Sequence, residues 1–527
     1  MRLRKIISLF FLLAVCIAAA GQETEQCRDF RFRVATEPVF FVSNPAAVAL
    51  FRGHISMAEV AFRKDNGAYR ALDESPDSYK AGAVTESYIG ISDRVSFHGK
   101  LSWSYFAGQQ MGGPVFMDPL FNPVSFLEST ESSAGLKNRE TYSLLGAVSY
   151  RFSDRWAAGF SLDYVSADQN KVKDPRFSNI LMDMDIKAGV SFRPSDKLML
   201  GLSLLYRSSI EQLRGGIYGT SDKQYFIYAD KGGFFGTLVE LTGDYNYISM
   251  STLRPMKNDF FGLGLQVAGG SFSNELEVLY RQGYWGSRSS STATFFEFSG
   301  IDASYRGRFV KKAGDGLHKV SLDLDYEFLR NYENLFNYVT PSGQDTRVEY
   351  FGQNPVLDRY RASAGLSYVW FKGLEGYLPR FSAGASLNAG AIARKTLLYP
   401  FYRNSDTETM DARLFADKSF FGGRSVFTLG LNGVFRTGFG TPRDDGSYDP
   451  AAASGYLSFD NYLDSQFEYD TANAAGAGAA LTYTYLLSPR FVPYIRLSDD
   501  FSALLQAPQH LGGRFRNVAL ITLGCSF

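Results

Sequence analysis

Histidine is the side chain that most often acts as a general base, and the sequence contains only four: His54, His98, His318 and His510. Of these, His98 has potential nucleophiles at neighbouring positions, Ser96 and Ser102. A serine activated by a histidine would support hydrolysis, although serine is frequent throughout this region. No spaced acid, base and nucleophile accompanies the pair. We therefore expect no catalytic residues and no enzymatic activity.

Metal and cofactor sites are not expected either. The three cysteines and four histidines have no clustered ligand spacing. Gly262 and Gly264 fall inside strand-like segments and form no phosphate-binding loop. Removal of an N-terminal signal would leave Cys27 and Cys525, and the sequence leaves open whether they pair.

Composition narrows the class of protein further. The 527 residues carry 54 Lys and Arg against 54 Asp and Glu, which argues against a nucleic-acid partner. Aromatic residues make up 15% and charged residues only 20%, which argues against disorder. No apolar run approaches the roughly 20 residues that a membrane-spanning helix needs. A membrane contact would therefore be made by strands.

The N-terminus has the pattern of an export signal. Arg2, Arg4 and Lys5 precede an apolar run from Ile6 to Ala20, and small residues follow at the expected cleavage site. We predict a signal peptide over residues 1–21 and a periplasmic or lumenal segment over 22–53.

The rest of the chain repeats strand-length segments with a period of two. Trp156, Phe160 and Leu162 alternate with polar or small residues, and Val320–Phe328 does the same. Tight polar turns are predicted near residues 93, 154, 195, 271, 313, 375, 422 and 489. Longer links are predicted at about 64–82, 107–139, 208–258, 331–356 and 437–472. Short turns on one side and long loops on the other are typical of outer-membrane barrels.

Eight hairpins, a first strand near 54–63 and a last strand near 515–527 predict an all-β fold. It is a closed antiparallel transmembrane β-barrel over residues 54–527, with about 18 strands (range about 14–18). Both ends would lie in the periplasm, the location would be the cell outer membrane, and outer-membrane lipid would surround the wall.

The polar faces of these strands carry charges of both signs. They indicate either an ion-paired network that fills the lumen or a polar path whose charges set selectivity. The residues predicted to line the lumen are Lys100, Arg151, Asp163, Asp183, Asp185, Lys187, Asp323 and Asp325.

The link over Gly112–Leu127 is too apolar for a solvated loop. It either caps the barrel mouth and contacts a hydrophobic small molecule, or folds onto neighbouring loops as a structural closure. The candidate ligand-binding residues are Phe116, Met117, Phe121 and Phe126.

Two motifs resemble those of known proteins. Asn44, Pro45 and Ala46, followed by apolar Leu50 and Phe51, are similar to the Asn-Pro-Ala element of the long-chain fatty-acid transporter (FadL-like) family. The resemblance implies that Cys27–Phe51 enters the lumen as a hatch, although Arg28–Phe41 itself has a strand-like pattern. The amphipathic C-terminal strand ending in Phe527 resembles the signature that the barrel assembly machinery recognises. More broadly, the chain resembles Gram-negative outer-membrane β-barrel proteins without an assigned function.

These features lead to a functional expectation. The leading hypothesis is passive or gated transport of a small apolar or amphipathic compound. The alternatives are a surface or assembly protein that binds a partner through its long loops, and a barrel-embedded hydrolase. The sequence leaves the solute and the oligomeric state open.

Overall fold

The computed structural model describes residues 27–37, 40–41, 43–195, 197–218, 224–241, 247–248, 254–398, 402–446, 457–488 and 491–527. The export signal predicted for residues 1–21 lies outside the described residues, and the segment predicted for 22–53 is described from Cys27 onward.

One 18-stranded antiparallel sheet dominates the described chain. Strands are numbered in chain order, including five that belong to a second, smaller sheet. The strands of the large sheet are β1 (His54–Gly67), β2 (Asp77–Gly90), β3 (Val95–Met111), β6 (Gly135–Arg151), β7 (Trp156–Lys171), β8 (Arg176–Ser195), β9 (Leu198–Gly216), β12 (Pro255–Gly269), β13 (Phe272–Gly286), β14 (Thr294–Ala313), β15 (Gly316–Val339), β16 (Arg347–Lys372), β17 (Phe381–Thr396), β18 (Arg403–Gly422), β19 (Ser425–Asp444), β21 (Ala474–Tyr485), β22 (Val492–Leu504) and β23 (Phe515–Ser526).

The sheet closes on itself. β23 pairs with β1 from Met57 opposite Ser526 to Gly67 opposite Arg516, and Phe527 exchanges backbone hydrogen bonds with Ser56. Closure leaves no free edge, so backbone groups along the wall are paired between strands. The prediction of a closed antiparallel all-β barrel with about 18 strands is confirmed.

The two edges of the barrel differ in their connections. At each of the eight predicted turn positions, two neighbouring strands are joined at the edge where the chain ends meet. Links of two to four residues lie at 91–94, 152–155, 270–271, 314–315 and 423–424, the link at 373–380 is longer, and the other two join Ser195 to Leu198 and Tyr485 to Val492. The links at the opposite edge run from the short 172–175 to the long 112–134, 217–254 and 445–473. The prediction of a long link over 331–356 is wrong. β15 and β16 pair with each other as far as Val339 and Arg347, so the polar composition there reflects strands that rise above the wall.

The pleat places apolar side chains outside and polar ones inside. Leu202 is 44% exposed on the outer face, whereas its neighbour Ser203 is 0% exposed on the inner face. Large exposed apolar residues circle the wall and include Phe62, Leu144, Phe160, Leu263, Ile301, Leu366, Leu414, Leu431, Leu481 and Leu523.

Links from the long-looped edge build a second sheet of five strands, here called the inner sheet. It consists of β4 (Gly113–Pro114), β5 (Ser125–Glu128), β10 (Phe226–Asp230), β11 (Phe235–Glu240) and β20 (Leu457–Ser458). A hydrophobic core joins it to the barrel wall, because Val124, Phe126 and Ile227 pack in one cluster with Trp285 and Leu329.

Helical segments also lie against the wall. Helix α1 (Phe30–Thr36) and a 3₁₀ helix (Pro45–Leu50) precede β1, and α2 (Asp460–Thr471) precedes β21. The strand-like interpretation of Arg28–Phe41 is wrong, because Asp29 caps a helix by accepting a hydrogen bond from the Phe32 amide. Within the described chain, no helix is long and apolar enough to cross a membrane.

Candidate functional site

The N-terminal segment over 27–53, here called the plug, is held to the inner wall by Asn44. The Asn44 amide nitrogen donates to the carbonyls of Val190 and Leu202, both at 3.2 Å, and to Gln266 Oε1 at 2.9 Å. Its oxygen accepts from the Ala46 amide at 2.9 Å and starts the 3₁₀ helix. Asn44 and Ala46 are buried. The predicted hatch residues therefore lie inside the barrel.

Glycines in the wall make room for this contact. A Cβ added to Gly159 would lie 2.4 Å from the Pro45 carbonyl carbon, and one added to Gly189 would lie 2.0 Å from Asn44 Oδ1. Neither distance is compatible with packing, so β7 and β8 accept the Asn-Pro-Ala turn only because both positions lack side chains.

Further contacts bind the plug at both ends. The Ser43 hydroxyl donates to Glu275 Oε1 at 2.6 Å, and Arg151 donates to the Ala49 carbonyl at 3.2 Å. The amides of Arg28 and Asp29 both donate to the Tyr377 carbonyl. The Cys27 thiol is buried and donates to the Leu374 carbonyl at 3.3 Å, and both Cys27 and Cys525 are free thiols.

The link over 112–134, here called the lid, folds into the lumen. Phe116, Met117 and Phe126 are 3%, 7% and 0% exposed. Phe126 packs edge-on against Trp285 with ring centroids 4.7 Å apart. The structure thus places Phe116 and Phe126 in a closed core, and their contact with a ligand, like that of Met117 and Phe121, stays a prediction.

Two arginines of the barrel wall form hydrogen bonds with the tip of the lid. Arg281, with a side chain 0% exposed, donates to the Phe121 carbonyl at 2.6 Å and lies 4.5 Å from the Phe121 ring centroid. Arg359 donates to the Asn122 carbonyl at 2.9 Å. Both guanidinium groups also pair with Glu327, at 3.2 and 2.8 Å. The lid is therefore latched to the wall by charge-assisted hydrogen bonds.

The end of the lid is fixed by a buried ion group. The Glu128 carboxylate in β5 contacts Lys137, at 3.3 Å, and Lys171. Burial raises the pKa of Glu128, whereas the two ammonium groups act in the opposite direction. Removing either partner would leave a buried charge without full compensation.

Five of the eight predicted lumen residues lie in ion pairs along the inner wall. Lys187 pairs with Glu277 at 2.8 Å, and Asp183 pairs with Arg207 through two hydrogen bonds at 2.9 and 2.5 Å. One carboxylate oxygen each of Asp163 and Asp185 is buried without a hydrogen bond. The remaining predicted residues pair as Lys100 with Glu86, Asp323 with Arg308, and Asp325 with Arg306, while Arg151 binds the plug.

The histidine and serine pair considered from sequence does not form. The His98 ring nitrogen lies 3.0 Å from Glu86, and the ring stacks on Tyr88 at 3.9 Å. The Ser96 hydroxyl instead donates to the Phe51 carbonyl of the plug at 2.9 Å.

A cavity of about 540 Å³ lies between the lid, the inner sheet, α2 and the wall. Leu120 of the lid, Phe234 of the inner sheet and Phe467 of α2 line it. Five arginines and four acidic residues among the described residues also line it: Arg207, Arg306, Arg361, Arg394, Arg436, Asp302, Asp325, Glu327 and Asp470. A second cavity of about 310 Å³ adjoins Met117, Arg139 and Arg516.

Several of these residues were not singled out from sequence. Arg359, Arg361 and Ser363 alternate along β16 and could have been recognised as an inward face. Helix α2 lies within the long link predicted at about 437–472. Leu463 and Phe467 have helical spacing and could have indicated it. In the described part of the chain, no group of His, Cys, Asp and Glu side chains could hold a metal ion.

Solved structures of outer-membrane proteins resemble this chain at low sequence identity. Among solved structures, the chain is similar to a FadL homologue from Pseudomonas aeruginosa, with 12% identity, coverage of 96% of this chain and 99% of that one, and a TM-score of 0.29. It is similar to the ferric enterobactin receptor from the same organism, with 9% identity, coverage of 90% and 80%, and a TM-score of 0.41. The outer membrane transporter YddB from Escherichia coli gives 8% identity, coverage of 89% and 80%, and a TM-score of 0.36.

No curated protein matches the sequence. A family model described as "Family of unknown function (DUF6850)" matches residues 45–527, from the second residue of the Asn-Pro-Ala element to the C-terminus. The chain belongs to this family.

Proposed function

We propose that the protein is a gated passage in the bacterial outer membrane for a small amphipathic compound. The observation that carries the proposal is the cavity of about 540 Å³ inside an 18-stranded wall, with parts of the same chain occupying the lumen around it. Barrels of 16–18 strands are wide enough to enclose an aqueous channel, whereas about eight strands suffice to fill a barrel with side chains. The width therefore favours passage over simple anchoring.

The outer face of the barrel supports a membrane location. Large apolar residues on this face are exposed on every side of the wall, and such a surface would be unfavourable in water. Lipid would cover it in the outer membrane. We further propose that β23 and Phe527 serve as the signal for the barrel assembly machinery.

The plug and the lid act as the two gates in this proposal. Asn44 holds the plug near the edge where the chain ends meet, and Arg281 holds the tip of the lid farther from that edge. The contacts of Asn44 and Arg281 are polar and lie outside the strand pairs of the wall, so weakening them loosens a gate while the wall stays intact. A solute would then meet the two gates in turn.

Conductance in planar lipid bilayers tests the proposal. We expect rare openings for the wild-type protein and for Asn44→Ala and Arg281→Met alone, because in each of them at least one gate keeps its contacts to the wall. The double variant should conduct persistently. Arg413→Met is the matched control, since Arg413 lies in β18 and lines neither cavity.

Hydrogen exchange of residues 43–51 and 115–124 should accompany the recordings, to show that both gates are released. A double variant with both segments released and no conductance would contradict the transport proposal. We propose no catalytic role, because the contacts of His98 are with Glu86 and Tyr88.

A second function is favoured by the tall hairpin of β15 and β16. These strands are 24 and 26 residues long, well beyond the roughly 9–11 residues that span a membrane. Leu335, Tyr350 and Phe351 are exposed on the hairpin. This hairpin would suit a surface protein that binds a partner while the filled barrel anchors it, and absence of conductance in every variant would favour that role.

A further inference from the structure

The cavity of about 540 Å³ contains an arginine whose guanidinium group has no direct ion pair among the described residues. Arg394 lies in β17 and lines the cavity. Among the residues that the structure describes, no carboxylate or carbonyl forms an ion pair or hydrogen bond with its guanidinium group. The other four cavity arginines each contact a carboxylate: Arg207 with Asp183, Arg306 with Asp325, Arg361 with Glu327 and Arg436 with Asp470.

The neighbours of Arg394 make this arrangement unfavourable without a ligand. Its partner across the strand pair in β16 is Arg359, and its partner in β18 is the uncharged Ser405. Like charges directly opposite each other on adjacent strands are destabilising. Arg359 is itself a cation and pairs with Glu327, and the carboxylates of Asp230 and Asp470 attract Arg394 without contacting it.

The wall beside Arg394 leaves space for a ligand group. Gly390 lines the cavity on the inward face of the strand that carries Arg394, and it has no side chain. The hydroxyl-bearing residues Thr407 and Thr409 line the same wall. Thr407 and Thr409 pair with Ile392 and Gly390, on the same inward face as Arg394. A guanidinium group on such a face is suited to a carboxylate, which accepts two parallel hydrogen bonds from arginine.

Apolar groups form another part of the boundary. Leu120, which is 42% exposed at the tip of the lid, contributes with Phe234 and Phe467. The volume is within the range of small-molecule sites, about 300–1,000 Å³.

We propose that this cavity binds a compact amphipathic organic anion, with its carboxylate on Arg394 and its apolar part between the lid, the inner sheet and α2. The proposal names the substrate class of the passage and in that respect rests on the proposed function, but binding can be measured without transport. Arg394 binds the ligand directly, and Leu120 couples the occupied cavity to the lid.

Isothermal titration of the full chain in nanodiscs tests the site, with empty nanodiscs as the blank. The probes are 2-naphthoate, its neutral isostere 2-naphthamide, and sulfate. We expect 2-naphthoate to bind at least about tenfold more tightly than 2-naphthamide or sulfate. Only 2-naphthoate combines a carboxylate for Arg394 with an apolar ring system for the rest of the cavity.

Variants at two lumenal arginines show whether 2-naphthoate binding depends on Arg394. Arg394→Met should weaken 2-naphthoate binding by about tenfold or more, and Arg394→Lys should retain part of the affinity. Arg413→Met removes the same charge outside the cavity and should leave the affinity unchanged. Circular dichroism and heat-modified gel mobility establish that each variant folds, and Arg394→Lys carries the test if Arg394→Met does not.

The opposite results overturn the proposal. Equal binding of 2-naphthoate and 2-naphthamide would exclude charge recognition, and equal binding of sulfate would exclude the apolar contact. No binding of 2-naphthoate, or unchanged binding by Arg394→Met, would exclude the site. If the double gate variant conducts and 2-naphthoate does not bind, only the ligand assignment fails. If 2-naphthoate binds and no variant conducts, the transport proposal fails and the site remains.

Discussion

Replacing Gly159 by alanine should displace the plug without disturbing the wall. The added Cβ would lie 2.4 to 2.6 Å from three backbone atoms of Pro45 and Ala46. These atoms belong to a turn, so they cannot rotate away as the end of a long side chain could. Alanine itself is tolerated in a strand at least as well as glycine. The strain therefore falls on docking of the plug.

The size of the effect follows from the hydrogen bonds that must stretch. A shift of about 1 Å would restore ordinary packing distances to the new methyl group and would break the three bonds that Asn44 donates to the wall. The Asn44 amide nitrogen carries two protons for these three acceptors, so at about 1 kcal/mol for each neutral hydrogen bond the docked state would lose about 2 kcal/mol. This loss corresponds to a rise of about 30-fold in the open population.

Hydrogen exchange measured by mass spectrometry reports the population of molecules in which the plug is undocked. Peptides covering 43–51 should exchange about 30-fold faster in Gly159→Ala, whereas peptides from β7 and β8 should not change. Gly146→Ala is the matched control, because nothing lies within 4 Å of a Cβ at that position. If residues 43–51 exchange at the same rate in Gly159→Ala and in the wild-type protein, the contact between Gly159 and the plug does not stabilise the docked plug as argued.

Two further predictions concern the wall and the inner sheet. Leu387 is exposed on the outer face and Asn388 faces the lumen near Asp411, so Leu387→Arg should cost about 2–4 kcal/mol in folding titrations and Asn388→Arg much less; the reverse order would mean that the register is shifted by one residue. Burial raises the pKa of Asp230 to about 6, so the folded protein holds this proton more tightly than the unfolded chain. Stability should therefore fall as the pH rises from about 4 to 6, and the difference between Asp230→Asn and the wild-type protein should carry this slope; a difference independent of pH would contradict it.

The sequence predicts those parts of the fold that depend on neighbours along the chain. Each tight turn is marked by local polar residues, and each pleat by alternation, so the strand number and the outward position of Leu202 follow from pattern alone. The surroundings of an inward-facing side chain do not follow from the sequence pattern. Ser203 faces the lumen as expected, yet it is covered and hydrogen-bonded to Gln266, so Ser203→Arg is not the tolerated substitution that its face suggests.

The candidate site depends on contacts between distant segments. The Asn-Pro-Ala element could be recognised, but its cradle at Gly159 and Gly189 could not, because glycine in a strand has several causes. The apolar lid was conspicuous in sequence, whereas its grip by Arg281 and Arg359 joins residues more than a hundred positions apart. Arg394 is distinguished only by the lack of a partner, which is a property of three-dimensional packing.

The contacts of the plug also constrain the order in which the molecule is completed. The plug contains the earliest described residues of the chain, yet its first amides bind Tyr377, between β16 and β17, and Ser43 binds Glu275 in β13. The plug thus has its final partners in segments that follow it by hundreds of residues. It can dock only after those strands have joined the sheet, so a docked plug indicates that most of the wall has formed.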